Sequence, residues 1–130
     1  MFKIPEEIIN KIAEHGKNAY PIEACGYLIG SNDTVTEIIY MTNTDKSNEH
    51  FSFDPKEQFT AVKYARSKGV KLVAVYHSHP DSPARMSKED IRLANDNSMK
   101  YLIYSVVNDE INCFVVDKFK NVREVKIVKI

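Results

Sequence analysis

The 130-residue chain has no tryptophan, four glycines and only two cysteines, Cys25 and Cys113. Two cysteines are too few to staple a secreted fold, so a hydrophobic core must hold the chain together. At this length such a core can be buried without staples, and we expect one domain spanning residues 1–130. Neither sign of charge predominates: 18 Lys and Arg balance 18 Asp and Glu. That balance excludes the broad positive field of a nucleic-acid or anionic-membrane binder. No apolar run approaches the roughly 20 residues needed to span a bilayer. The first residues, Met1-Phe2-Lys3-Ile4-Pro5-Glu6-Glu7, lack the basic-then-apolar order of a secretion signal. A reduced cytoplasmic setting is the expectation.

What is present falls into short patterned runs. Pro5 to about Asn18 predicts a helix, with Glu6 and Glu7 early and Ile8, Ile9, Ile12 and Ala13 on one face. Gly16 is expected to loosen its end. Cys25–Ile29 predicts a strand, Gly30-Ser31-Asn32-Asp33 a turn, and Thr34–Met41 a second strand paired with the first. The polar stretch Thr42 to Phe53 predicts a mobile loop suited to substrate contact. Asp54-Pro55 opens a second helix, with Asp54 as N-cap, Phe59, Val62 and Ala65 on its buried face, and Gly69 at its end. Val70–Tyr76 reads as a strand covered on both faces. Ser87-Lys88-Glu89-Asp90 has the form of a capping box that opens a third helix. Tyr101–Val107, Ile111–Val116 and Val122–Ile130 predict further strands. The expected fold class is α/β (α+β), a mixed twisted sheet of about six strands with helices packed on its faces.

The chemistry concentrates at Tyr76-His77-Ser78-His79-Pro80. Alternate residues of a strand share a face, so His77 and His79 project together and Ser78 turns away into a structural role. Ten residues separate His79 from Asp90, which returns at the start of a helix. Two imidazoles and a carboxylate suit zinc and leave a fourth tetrahedral position open, the mark of a catalytic rather than a structural site. Taken singly, each part has a plainer explanation: a polar histidine at a strand end, or a serine and an aspartate that merely cap a helix. Their conjunction favours the metal reading. A hydrolytic metal site also needs a base, and Glu23, Glu49, Asp81 and Glu89 are the candidates. Glu23 stands at the entry of the Cys25–Ile29 strand, where a solvated carboxylate is the simpler alternative.

His77-Ser78-His79-Pro80, six residues, then Ser87-Lys88-Glu89-Asp90 resembles the JAMM (MPN-plus) metalloprotease signature His-x-His-Pro-x₆-Ser-x-x-Asp. Upstream, Pro21-Ile22-Glu23-Ala24-Cys25-Gly26-Tyr27-Leu28-Ile29-Gly30 is similar to the segment that carries that family's catalytic glutamate. The resemblance covers essentially the whole chain. It implies a JAMM/MPN-like fold and one zinc ion per chain held by His77, His79 and Asp90. It implies that Glu23 takes a proton from the activated water and returns it to the leaving nitrogen. Ser87 then stabilises the oxyanion. The implied substrate is an amide or isopeptide bond at the C-terminal tail of a ubiquitin-like or sulfur-carrier protein. The chain most resembles compact prokaryotic members, some of which remove cysteine from such a carrier.

Other readings compete. His77 to Asp81 also matches a metallo-β-lactamase His-x-His-x-Asp segment, but Ser82 stands where that motif continues with histidine. A metal-free scaffold of the same fold that only binds partners is the main alternative. A small amide in place of a protein is a third. Cys25 could face the site as a nucleophile, but a buried apolar cysteine is the favoured reading. His15 is expected to be an exposed helix residue, and His50 to meet substrate from the polar loop.

Overall fold

The hairpin forms where the sequence places it. A computed structural model, which describes residues 1–130, pairs strand β2 (Cys25–Ser31) with β3 (Thr34–Met41) across Asn32-Asp33. Asn32 adopts the left-handed backbone (φ 57°) that a two-residue turn requires. The other elements are β1 (Phe2–Ile4), α1 (Glu6–Ala19), α2 (Pro55–Ser67), β4 (Lys71–His79), α3 (Lys88–Leu93), β5 (Lys100–Ser105), β6 (Glu110–Val116), β7 (Val122–Val125) and β8 (Ile127–Lys129). Their strands make one mixed sheet in the order β7-β6-β5-β4-β2-β3-β1-β8. The α/β (α+β) class holds. No helix is long and apolar enough to cross a membrane.

Eight strands replace the six expected. Phe2–Ile4 is only three residues long, too short to show a period, and reads as a lead-in to α1. Val122–Ile130 is two strands rather than one. Lys126 alone separates β7, at one edge of the sheet, from β8, at the other. The sheet therefore curls until its edges meet, and Phe2 N–H donates to the Lys126 carbonyl at 2.8 Å.

Under α1 the sheet buries its larger core. Ile8, Ile9 and Ile12 meet Phe2, Ile4, Leu28, Tyr76, Leu102 and Tyr104 in one cluster of 13 buried residues. Burying each Leu, Ile or Phe side chain contributes about 1.5–3 kcal/mol. Gly16 does not loosen this helix. It lies inside α1 against β4 and β5, where a Cβ would stand 2.8 Å from the Tyr104 ring and 3.2 Å from Ser78 Cβ. His15, one residue earlier, is half-buried rather than exposed, and its Nδ1 lies 2.7 Å from the Tyr76 hydroxyl.

The opposite face carries a smaller cluster, Cys25, Tyr27, Met41 and Ala61, beneath α2. The buried face of α2 is Ala61 and Ala65. Phe59 is 65% exposed and Val62 is exposed as well, against the sequence expectation. The two alanines let the helix lie close to the strands, and the larger side chains are left outside. Asp54 occupies the N-cap position but its side chain makes no capping bond, so Pro55 at the first turn defines that start. Gly69, at φ 71°, ends α2 in the left-handed conformation.

Candidate metal centre and active site

β4 runs through the middle of the sheet and does not stop at Tyr76. It continues through both histidines to His79. Antiparallel pairing sets His77 opposite Cys25, and parallel pairing sets His77 opposite Ile103 and His79 opposite Ser105. The histidine backbones are thus fixed by rigid neighbours, and the alternation of the strand turns both imidazoles to the α2 face. From there the chain crosses to α3, which delivers Asp90.

Three ligand atoms converge. The two histidine Nε2 atoms are 3.2 Å apart. Asp90 Oδ1 lies 3.2 Å from His77 Nε2, and Oδ2 lies 3.0 Å from His79 Nε2. His77 and His79 are buried. Ser87 and Asp90 form the expected capping box: Asp90 N–H donates to Ser87 Oγ, and Ser87 N–H donates to Asp90 Oδ2, each at 3.0 Å. The cap therefore fixes the carboxylate that faces the histidines, so capping and ligation are compatible.

This donor set fits a divalent cation. His79 Nδ1 lies 2.9 Å from the Pro83 carbonyl, an acceptor only, so Nδ1 carries the proton. The Nε2 lone pair then points at Asp90, itself an acceptor, and at His77 Nε2. Electron-rich atoms so close together need a cation or a proton between them. Anchoring a ligand histidine through its other nitrogen is the usual support of a metal site. Burial opposes charge on Asp90, but the bonds to His77 and His79 outweigh it and hold the carboxyl well below the usual range. Burial also works against a charged His79, yet Asp90 and the Pro83 carbonyl together raise its pKa.

Glu23 approaches from the β2 side. It is 3% exposed, and its Oε1 has no hydrogen-bond partner. The solvated alternative is thereby excluded. Desolvation raises its carboxyl above the ordinary value, partly offset by His77 and His79. Of the other carboxylates considered, Asp81 accepts a bond from the Tyr20 hydroxyl at 2.8 Å, Glu89 pairs with Arg92, and Glu49 is exposed. Asp81 also lies outside the ligand cluster, which removes the His77–Asp81 lactamase pattern.

The loop from Thr42 to Phe53 is tied down more than its polarity suggested. Asn43, which the sequence reading passed over as one polar residue among many, is its centre. Its Nδ2 donates to the Glu23 and His50 carbonyls at 3.1 Å, and its Oδ1 accepts from Asp45 and Ser52. Phe51 packs its ring 4.9 Å from that of His77. His50 is exposed and paired with Asp45 at 2.9 Å. Lys120 was missed too. Its ammonium donates to the Ile91, Arg92 and Ala94 carbonyls and to Asn95 Oδ1, closing the C-terminus of the helix that carries Asp90. A lone lysine in a turn gives no sequence signal for such a role. Cys25 lies behind the site, fully buried, and burial with nearby Glu23 and Glu57 pushes its thiol up to about 12. That excludes it as a thiolate nucleophile.

Beside the triad a cleft of about 60 Å³ is walled by Phe51, Met86, Leu93 and Tyr101. A larger groove of about 490 Å³, between β3 and α2, contains none of the convergent residues.

Comparison with known proteins identifies the family. The family model described as prokaryotic homologs of the JAB domain matches residues 5–117, and the chain belongs to that family. It is 30% identical over 104 residues to the CysO-cysteine peptidase of Mycobacterium tuberculosis, covering 78% of this chain and 71% of that protein. Identity to the desampylase of Pyrococcus furiosus is 29% over 111 residues, 82% of this chain and 76% of that one. The solved structure of protein DSY2949 from Desulfitobacterium hafniense superposes with a TM-score of 0.91 at 39% identity, covering 99% and 92% of the two chains. The chain is thus a JAMM-type enzyme, a hydrolase of peptide or isopeptide bonds.

Proposed function

We propose that residues 1–130 act as one zinc-dependent peptidase domain that cleaves an amide or isopeptide bond at the C-terminal tail of a ubiquitin-like or sulfur-carrier protein. The observation that carries this reading is the buried, partnerless Glu23 carboxylate beside three convergent ligand atoms. A structural ion pair leaves no such orphan. The names of the mycobacterial and archaeal relatives support a small-protein conjugate as substrate.

In this reading His77, His79 and Asp90 hold one zinc ion. Bound there, zinc supplies Lewis acidity toward a carbonyl and toward water. Glu23 accepts the proton of the attacking water and passes it to the departing nitrogen, and its raised pKa suits a group that must both take and give. Ser87 Oγ accepts from Asp90 N–H, which leaves its own proton free to donate toward the developing oxyanion. The small cleft beside the triad, walled by Phe51, Met86, Leu93 and Tyr101, suits a tail ending in glycine better than one with bulky side chains.

The test is elemental analysis of the purified protein beside His77→Ala/His79→Ala, with cleavage of a carrier–cysteine adduct. One zinc per chain, lost together with cleavage in the double variant, is the expected result. Absence of zinc after reconstitution would favour the metal-free binding scaffold. Cleavage of free small amides with no activity on the adduct would overturn the substrate.

A further inference from the structure

The ladder between β2 and β4 ends in an unusual rung. Antiparallel strands at this register pair residue 24 with residue 78, one step beyond the recorded Cys25–His77 pair. Ser78 N–H does donate to the Ala24 carbonyl at 2.9 Å. The return bond, however, runs from Ala24 N–H to the Ser78 hydroxyl, at 2.8 Å, and not to the Ser78 carbonyl. A side chain has taken the place of the backbone acceptor. Ser78 is 1% exposed and lies between the two ligand histidines, on the opposite face from their rings.

The consequence falls on Glu23. One further step in the same register places it opposite His79. In an uninterrupted ladder those two residues form a close, non-hydrogen-bonded pair, with Cα atoms roughly 4.5 Å apart. The hydroxyl rung ends the regular ladder here, since the recorded pairing stops at Cys25–His77, while the Ser78 N–H still ties the two backbones. Glu23, the next residue, is therefore held by the rung and not by a ladder pair with His79. The neighbouring bonds complete the grip: Glu23 N–H donates to the Ser47 carbonyl at 2.9 Å, and Asn43 holds the Glu23 carbonyl. On the far side, Ser78 Cβ faces Gly16 of α1, so the serine cannot retreat or be replaced by a bulky residue without moving the helix.

We propose that Ser78 is a positioning residue. Its hydroxyl sets the distance between the Glu23 carboxylate and the His77–His79–Asp90 cluster by serving as the last rung of the β2–β4 ladder. This rests on the peptidase reading for its effect on turnover, but the rung itself does not.

Two measurements separate the claims. Amide hydrogen exchange on the whole protein reads the rung without any assay of activity. In Ser78→Ala, protection at Ala24 is expected to fall at least tenfold, with Tyr76 and His77 amides unchanged. Ser78→Thr, which keeps the hydroxyl, is expected to retain it. Unchanged protection at Ala24 in Ser78→Ala would overturn the proposal whatever the enzyme cleaves. The second measurement is turnover on the carrier–cysteine adduct with zinc content recorded in parallel. Ser78→Ala is expected to lower kcat at least tenfold with KM and zinc content held, and to add no further loss in a Glu23→Gln background. Loss of zinc in step with kcat, or full additivity with Glu23→Gln, would assign Ser78 to the ligands or to general stability and defeat the proposal. A wild type without peptidase activity, but with the exchange result as expected, would defeat the function and leave the rung.

Discussion

The two faces of one strand behave as two different materials. Along β4, Ala74, Tyr76 and Ser78 face α1, while Val75, His77 and His79 face the α2 side. The α1 face is the dense apolar cluster in which stability resides. The opposite face buries Glu23, His77 and His79 among two small clusters, Cys25, Tyr27, Met41 and Ala61 on one side and Ala84, Ile103 and Phe114 on the other. A buried, unpaired carboxylate destabilises a fold, and the neighbouring face is where the compensation lies. The comparison predicts that damage to one face is read in activity and damage to the other in stability.

The largest separation is expected from Glu23→Gln. The amide keeps the shape of the side chain and cannot accept the proton, so turnover should fall about 10²–10⁴-fold. Its melting temperature should stay level or rise, because a desolvated carboxyl has been removed. Unchanged turnover would dissolve the functional side of the comparison. Leu28→Ala, on the α1 face and fully buried, is expected to cost about 2–5 kcal/mol in urea unfolding. In conditions where it stays folded, its zinc content should match the wild type. If zinc were lost at low denaturant, the two faces would be one cooperative unit.

Lys120→Met sharpens the division at the edge of the site. Removing the ammonium that closes α3 should destabilise by about 0.3–1 kcal/mol, as expected for a cation at a helix C-terminus. The change belongs in local exchange of the Lys88–Leu93 amides rather than in global unfolding. The smallest effect concerns Cys25. With its thiol pushed up to about 12, it should resist iodoacetamide at pH 8 in the native protein and react only after unfolding. Fast native labelling, followed by mass spectrometry, would show an opening of the α2 face that this structure lacks.

Local chemistry was legible in the sequence and long-range closure was not. The shared face of His77 and His79, the Ser87–Asp90 capping box and the β2–β3 hairpin are each decided within a few residues, although the turn expected over Gly30–Asp33 tightens to Asn32-Asp33. The burial of Glu23 needed Asn43 and Ser47 to fold over it, which no local pattern announces. Of the face expected for α2, Ala65 is buried but Phe59 and Val62, expected there because hydrophobicity ranks them above alanine, are not. Close approach of a helix to strands selects small residues instead. Strand β1 has no period to detect and exists because β3 and β8 flank it, and nothing local announces the break at Lys126 that parts β8 from β7 within the expected Val122–Ile130 strand.

The dependence of β1 on β8 has a temporal side. The pairing of Phe2 with Ile127 spans 127 − 2 = 125 positions of sequence. Contacts of such separation form late, since the entropy of closing the intervening chain must be met before they stabilise anything. Until β8 is in place, β1 presents an unpaired edge available to other chains. The seam at Lys126 is therefore the last part of the sheet to be sewn. Aggregation during refolding should depend on concentration most steeply before that seam closes.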